Sequence, residues 1–209
     1  MRSAGRGLRL AAWVLGPAGL ALAVGAIVGI GTGYASATVN STAMTPTYSP
    51  GELVFLERVD PDEIRRGDVV LQRTANRYGG MPVLQRVIGM GGDHVRQSAG
   101  GPVTVNGKPL AEPYVKDGDP SGVPQSYDVV VPEGRLFLLG DHRANSNDSR
   151  FFLTDRSGSV AATAAQARAL DSRTGLLVLA STALLGLLLA AGGLTAGIVS
   201  WARRRAAHS

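Results

Sequence analysis

The sequence predicts a mostly β, antiparallel domain flanked by two transmembrane helices. Three observations carry that prediction. No charged residue occurs between Leu10 and Gly51, or between Thr174 and Ala202, and roughly 20 apolar residues suffice to cross a bilayer. Arginines flank both runs, with Arg2, Arg6 and Arg9 before the first and Arg203, Arg204 and Arg205 after the second. Between the runs, short β-branched and apolar segments alternate with Gly, Pro, Asn and Asp turn signals, the pattern of a compact all-β domain.

Taken in order, residues 1–9 form a basic tail and 10–33 the first span. Ala35-Ser36-Ala37 resembles a signal-peptide cleavage site, but the apolar run exceeds the roughly 7–15 residues of a signal h-region. An uncleaved anchor is therefore expected. The β domain is expected over 38–155, opening with an extended approach segment over 38–49. Glu52–Val59 reads as a strand. The Arg66-Gly67-Asp68 turn leads to a second strand from Val69, and Met81–Met90 is another. Asn106-Gly107 between apolar residues predicts a two-residue type I′ hairpin turn, whose positive φ angles those residues tolerate. The Pro/Gly/Asp-rich stretch 111–126 reads as an exposed loop, and Tyr127–Val131 and Arg135–Leu139 as strands. From 156 to 175 the composition shifts to Ala, Ser, Arg and Gln. Helix propensity favours Ala161–Leu170, without an amphipathic face, so this stretch is expected to be a tether. A second span over 176–201 and a basic tail over 202–209 complete the chain.

The basic balance follows from positive-inside flanks and does not indicate nucleic acid. Positive-inside topology puts both termini in the cytoplasm and the β domain outside. With no Cys among 209 residues there are no disulfides and no thiolate chemistry. His94, His142 and His208 are too far apart in sequence to suggest a metal site, and no cofactor is expected.

Three further blocks carry chemistry. Ser41-Thr42-Ala43-Met44-Thr45-Pro46-Thr47 stands where the anchor hands over to the domain. Leu84-Gln85-Arg86-Val87-Ile88-Gly89-Met90-Gly91-Gly92-Asp93 comes second, and Gly140-Asp141-His142-Arg143-Ala144-Asn145-Ser146-Asn147-Asp148-Ser149-Arg150 third. In order, spacing and topology they resemble the type I signal peptidases, membrane-bound serine proteases that remove signal peptides from exported proteins. The resemblance covers about residues 38–152 and implies a signal-peptidase-like fold, with signal peptides or preproteins, membrane lipid and other secretion components as partners.

The resemblance also implies a serine nucleophile and a lysine general base. A serine hydroxyl needs a base to take its proton, and a lysine serves as base only where burial lowers its pKa. Here the position matching the nucleophile is Ala43 and the position matching the base is Gln85. Ser41 matches the oxyanion-hole serine. Met44 and Pro46 keep the substrate-binding loop. Arg86, Asp141, Arg143, Ser146, Asp148 and Arg150 match supporting positions, with Ser146 where the family orients its lysine. Gln85 fills nearly the volume of a lysine and can still hydrogen-bond Ser146 without bearing a charge. His142 for Asn and Gly91 for Pro are smaller departures.

A homologue without its dyad, binding preproteins as a regulator or accessory, is the leading expectation. An active peptidase with a displaced nucleophile and a non-enzymatic membrane interaction protein are the alternatives. The chain's two lysines, Lys108 and Lys116, fall outside all three blocks, and Ser41 lies about 6–7 Å along an extended segment from Ala43. Neither observation favours a displaced dyad. Met44 reads equally as core filler or substrate contact. Asp148 and Arg150 read first as a structural ion pair, and His142 as a turn residue.

Overall fold

The computed structural model describes residues 2–122 and 125–206. Met1 and residues 207–209 of the predicted tails, and Val123 and Pro124 of the predicted loop, lie outside them. The chain divides into two compact units, a helical pair and a β unit spanning Ala35–Asp171.

The pair consists of α1 (Arg2–Gly33) and α2 (Thr174–Ala206). Within them Ala12–Gly33 and Thr174–Ala206 are long and apolar enough to cross a membrane. Glycines bring the two backbones together. A Cβ on Gly19 would stand 2.5 Å from the Ala190 nitrogen, and one on Gly193 would stand 2.5 Å from the Gly16 nitrogen. Small residues at such a crossing allow the close approach that holds apolar helices together where no hydrophobic drive separates helix from lipid.

The β unit is built from two antiparallel sheets. The larger runs β1 (Tyr34–Thr38), β2 (Leu53–Glu57), β11 (Ala165–Ala169), β3 (Val69–Gln72), β4 (Val83–Met90), β9 (Arg135–Leu139) and β10 (Val160–Ala161). The smaller runs β7 (Lys108–Pro109), β6 (Val103–Val105), β5 (His94–Gln97) and β8 (Tyr127–Val130). Strand β9 shows why the apolar run Leu136-Phe137-Leu138-Leu139 does not alternate. Leu136 and Leu138 pack with Val70 and Val87, while Phe137 and Leu139 pack with Ile88, Val95 and Tyr127. A strand buried on both faces needs apolar residues at every position. The Asn106-Gly107 turn has the predicted positive φ at both residues, 52° and 77°.

Three expectations are corrected. The segment expected as a tether holds β10 and β11, and β11 lies between β2 and β3. Its alanines at 165, 167 and 169 are buried in the sheet, and Arg168 pairs with Glu57 and Asp68. A period-2 pattern with a paired arginine overrides the helix propensity of alanine. The approach segment is extended only to Thr38. Residues 41–47 are turn, closed by Thr45 N–H to Thr42 C=O (3.1 Å) and Tyr48 N–H to Met44 C=O (3.0 Å). The stretch 111–126 is not simply exposed. Val115 and Ser121 are buried, because this stretch supplies acceptors to two interior arginines described below.

Candidate functional site

Turn 41–47, strand β4 and the segment after β9 wall a groove of about 1120 Å³ in the β unit. Ala43 and Gln85 both line it, with Ser41, Thr42, Met44, Tyr78 and Ser146. Pro46 does not. It is exposed and outside the groove lining.

The three sequence blocks meet at one ion pair. Arg86 grips Asp141 through both carboxylate oxygens, Nε to Oδ1 at 2.8 Å and Nη2 to Oδ2 at 2.6 Å. The Thr47 hydroxyl donates to the same carboxylate and accepts from Arg86 Nη2 at 3.3 Å. Tyr114 stacks on the guanidinium 3.9 Å away, in cation–π geometry. Asp141 is fully buried, and a bidentate guanidinium is the partner that makes such a charge tolerable. Burial pulls the Arg86 pKa down, but the Asp141 carboxylate outweighs it and the net direction is up.

A second knot holds the segment after β9. Asp148 accepts from Arg150 Nε (2.8 Å) and Nη2 (2.9 Å), and from the Gly140 N–H (3.1 Å). Arg150 also donates to the carbonyls of Ser121 and Arg143, both at 2.7 Å. Arg143 donates to the carbonyls of Gly140 (3.0 Å) and Pro120 (2.7 Å), and pairs with Glu112. These side chains are almost wholly buried. Asp148 and Arg150 therefore serve as scaffold, in line with the structural reading. Sequence reasoning missed Glu112 and Tyr114.

The nucleophile-position loop is pinned to this scaffold. The His142 N–H donates to the Ala43 carbonyl at 3.0 Å. Asn145 donates to the Thr42 hydroxyl, and His142 Nδ1 lies 3.3 Å from both Thr45 Oγ1 and the Thr42 carbonyl. Gly140 has no room for a side chain, since a Cβ there would run into Ser146 and stand 2.7 Å from the Ala43 carbonyl. Met44 is buried against Val39, Val54, Leu56 and Val69, so it fills the core and borders the groove at once.

At the expected reacting positions, Ala43 presents a methyl group, and its N–H points at Ser41 Oγ, 3.4 Å away. Gln85 is buried. Its amide donates to the Asn147 carbonyl (3.0 Å) and the Tyr78 hydroxyl (3.3 Å), and accepts from Gln72 (3.3 Å). It makes no bond to Ser146, a contact open to it by size and chemistry. The Ser146 hydroxyl is buried and has no partner among the described residues. Both amide N–H donors are taken by Asn147 and Tyr78, so the amide has no donor left for the Ser146 hydroxyl. Burial raises the Tyr78 pKa, so its hydroxyl stays protonated at neutral pH. Neither Lys108 nor Lys116 lines the groove.

This chain is similar in sequence to known proteins. The family described as signal peptidase, peptidase S26, matches residues 10–170. Signal peptidase I of Bacillus licheniformis is 36% identical over 121 residues, covering 54% of this chain and 63% of the relative. A probable signal peptidase I of Mycobacterium leprae is 38% identical over 104 residues, covering 42% of this chain and 36% of the relative. A crystal structure of a signal peptidase I from Enterococcus faecalis superposes with a TM-score of 0.41 at 26% identity, covering 51% of this chain and 96% of that one. The chain spans less than two thirds of the length of the two curated relatives. The family match runs through all three blocks and most of the chain, and the chain belongs to the signal peptidase family S26.

Proposed function

We propose that this protein binds signal-peptide segments of exported preproteins in the groove at the outer face of the cytoplasmic membrane, without cleaving them, as a regulator or accessory of processing. One observation carries the reading. The groove presents a methyl group at Ala43 and a hydrogen-bonded, non-basic amide at Gln85 where the family resemblance calls for nucleophile and base, while the bonded frame around them is kept. Removing the nucleophile of a serine protease costs about 10⁶ in kcat, and losing the base as well adds little. That corresponds to about 8 kcal/mol of transition-state stabilisation.

Peptide binding needs none of that chemistry. The groove still offers the Ser41 hydroxyl, which accepts from the Ala43 N–H at 3.4 Å and keeps its own proton to donate, and a wall of small and apolar residues. The threonine hydroxyls that flank Ala43 are engaged, which speaks against either as a displaced nucleophile. The Thr45 hydroxyl donates to the Thr42 carbonyl at 2.8 Å, and the Thr42 hydroxyl accepts from Asn145.

The test is a cleavage assay with the full chain in detergent, as it stands and as Ala43→Ser, Gln85→Lys and the double variant. The chain and both single variants are expected to be inactive. The double variant is expected to cleave, because a lysine at 85 would have the unpartnered Ser146 hydroxyl and the Tyr78 hydroxyl to orient its amine. Cleavage by the unaltered chain would overturn the reading. So would failure of a fluorescent signal peptide to bind it, which would leave a structural membrane protein.

A further inference from the structure

Next to the groove, and sharing no lining residue with it, lies a second cavity of about 400 Å³. Successive residues face the two spaces. Tyr78 and Phe151 line the groove, while Arg77 and Phe152 line the second cavity. Four arginines, Arg73, Arg77, Arg135 and Arg156, converge there with one carboxylate, Asp155.

Their partners are unevenly shared. Arg77 is buried and tied down, donating to the Gly158 carbonyl (2.7 Å) and to Asp155 (3.1 Å), with its guanidinium 4.3 Å over the Phe152 ring. Arg135 commits two donors to Ser159, one to the hydroxyl (2.8 Å) and one to the carbonyl (2.6 Å). Arg73, Arg135 and Arg156 make no ion pair among the described residues. The backbone holds Arg156 and Ser157 at φ of 49° and 58°, a conformation non-glycine residues rarely adopt. The cavity thus concentrates like charge, and burial followed by repulsion from Arg156 and Arg77 pushes the Arg135 pKa below its ordinary value.

We propose that this cavity binds a phosphate-class anion, free or as the headgroup of an anionic phospholipid, through Arg73, Arg135 and Arg156, with the Arg77–Asp155 pair fixing its wall. Phosphate fits better than carboxylate. A carboxylate brings one charge and two oxygens, whereas a phosphate brings up to about two charges and three strong acceptors to guanidinium forks suited to them. Three arginines without a carboxylate partner leave room for that charge.

The experiment uses the full chain in neutral detergent at fixed low ionic strength, because screening weakens such contacts. One arm titrates inorganic phosphate by calorimetry. The other titrates phosphatidylglycerol into the micelles, with phosphatidylcholine as reference. Arg73→Gln with Arg156→Gln is compared with Arg58→Gln with Arg65→Gln, an equal charge change at exposed positions elsewhere. Saturable binding in at least one arm is expected, and the arm that saturates tells free phosphate from lipid. The first pair is expected to weaken it at least tenfold, since it removes charge-assisted hydrogen bonds to the anion. The control pair should change it by no more than about twofold. Independently of whether the variants fold, the saturating ligand should protect Arg73 and Arg156 of the unaltered chain from phenylglyoxal, read by mass spectrometry, and leave Arg58 and Arg65 reactive. No saturation in either arm, equal weakening by both pairs, or absent protection would each overturn the proposal.

Discussion

Asp148 is the residue on which the site's scaffold turns. It is fully buried, pairs with Arg150 and caps the Gly140 N–H. Replacing it with alanine would leave an almost wholly buried guanidinium without a counter-charge, a loss of about 3–5 kcal/mol. Urea unfolding of Asp148→Ala should show that loss in the midpoint with little change in slope. A loss below about 1 kcal/mol would mean that Arg150 escapes to water and that the pair is not structural. The three blocks made Asp141, Arg143, Asp148 and Arg150 visible in the sequence, because their spacing is local. Glu112 was not visible. It lies 31 residues before its partner Arg143, in a Pro/Gly/Asp-rich stretch that reads as surface. The blocks themselves hold three arginines, Arg86, Arg143 and Arg150, and three aspartates, Asp93, Asp141 and Asp148, so the count of charges gave no signal; it is the pairing of Asp93 with Arg66 that leaves Arg143 to Glu112.

Among the elements, β11 tests how far local preference reaches. Its sequence, Ala-Gln-Ala-Arg-Ala, scores well for helix, yet it sits in the sheet with registers Arg168 to Glu57 on one side and Arg168 to Val70 on the other. The period-2 alternation of small and polar residues was present in the sequence. It was masked because alanine is both a good helix former and small enough for a tightly packed strand, so the deciding information was the pairing with β2 and β3. In the same way, the first block was recognisable by its residues while its shape was not. Its turn depends on burial of Met44 and on the bond from His142 to Ala43, both distant in sequence. The placement of β11 predicts slow hydrogen exchange. Backbone amides of residues 165–169 that bond into the sheet should exchange about 10³-fold or more slowly than in a free peptide, in step with β3, because opening them requires unfolding the sheet. A tether would exchange at nearly the free rate, and mass spectrometry of a pulse-labelled sample separates the two.

For the molecule as a whole, the arrangement of charge sets the expected topology. Two apolar helices, Ala12–Gly33 and Thr174–Ala206, are long enough to span a bilayer, and arginines stand at the outer end of each run in the sequence, before the first and at the end of the second. Short flanks rich in arginine stay on the cytoplasmic side. On that rule both ends are expected to face the cytoplasm and the β unit to face outward, the side that the proposed function requires. The chain contains no cysteine, so a single introduced thiol reports one position without background. In intact spheroplasts, Ser98→Cys in the β unit should react with a membrane-impermeant maleimide. Ser3→Cys and Ser209→Cys should react only after permeabilisation. Labelling of the terminal positions from outside, with Ser98→Cys protected, would invert the molecule. It would place the groove in the cytoplasm, away from exported preproteins, and remove the basis for reading it as a preprotein-binding site.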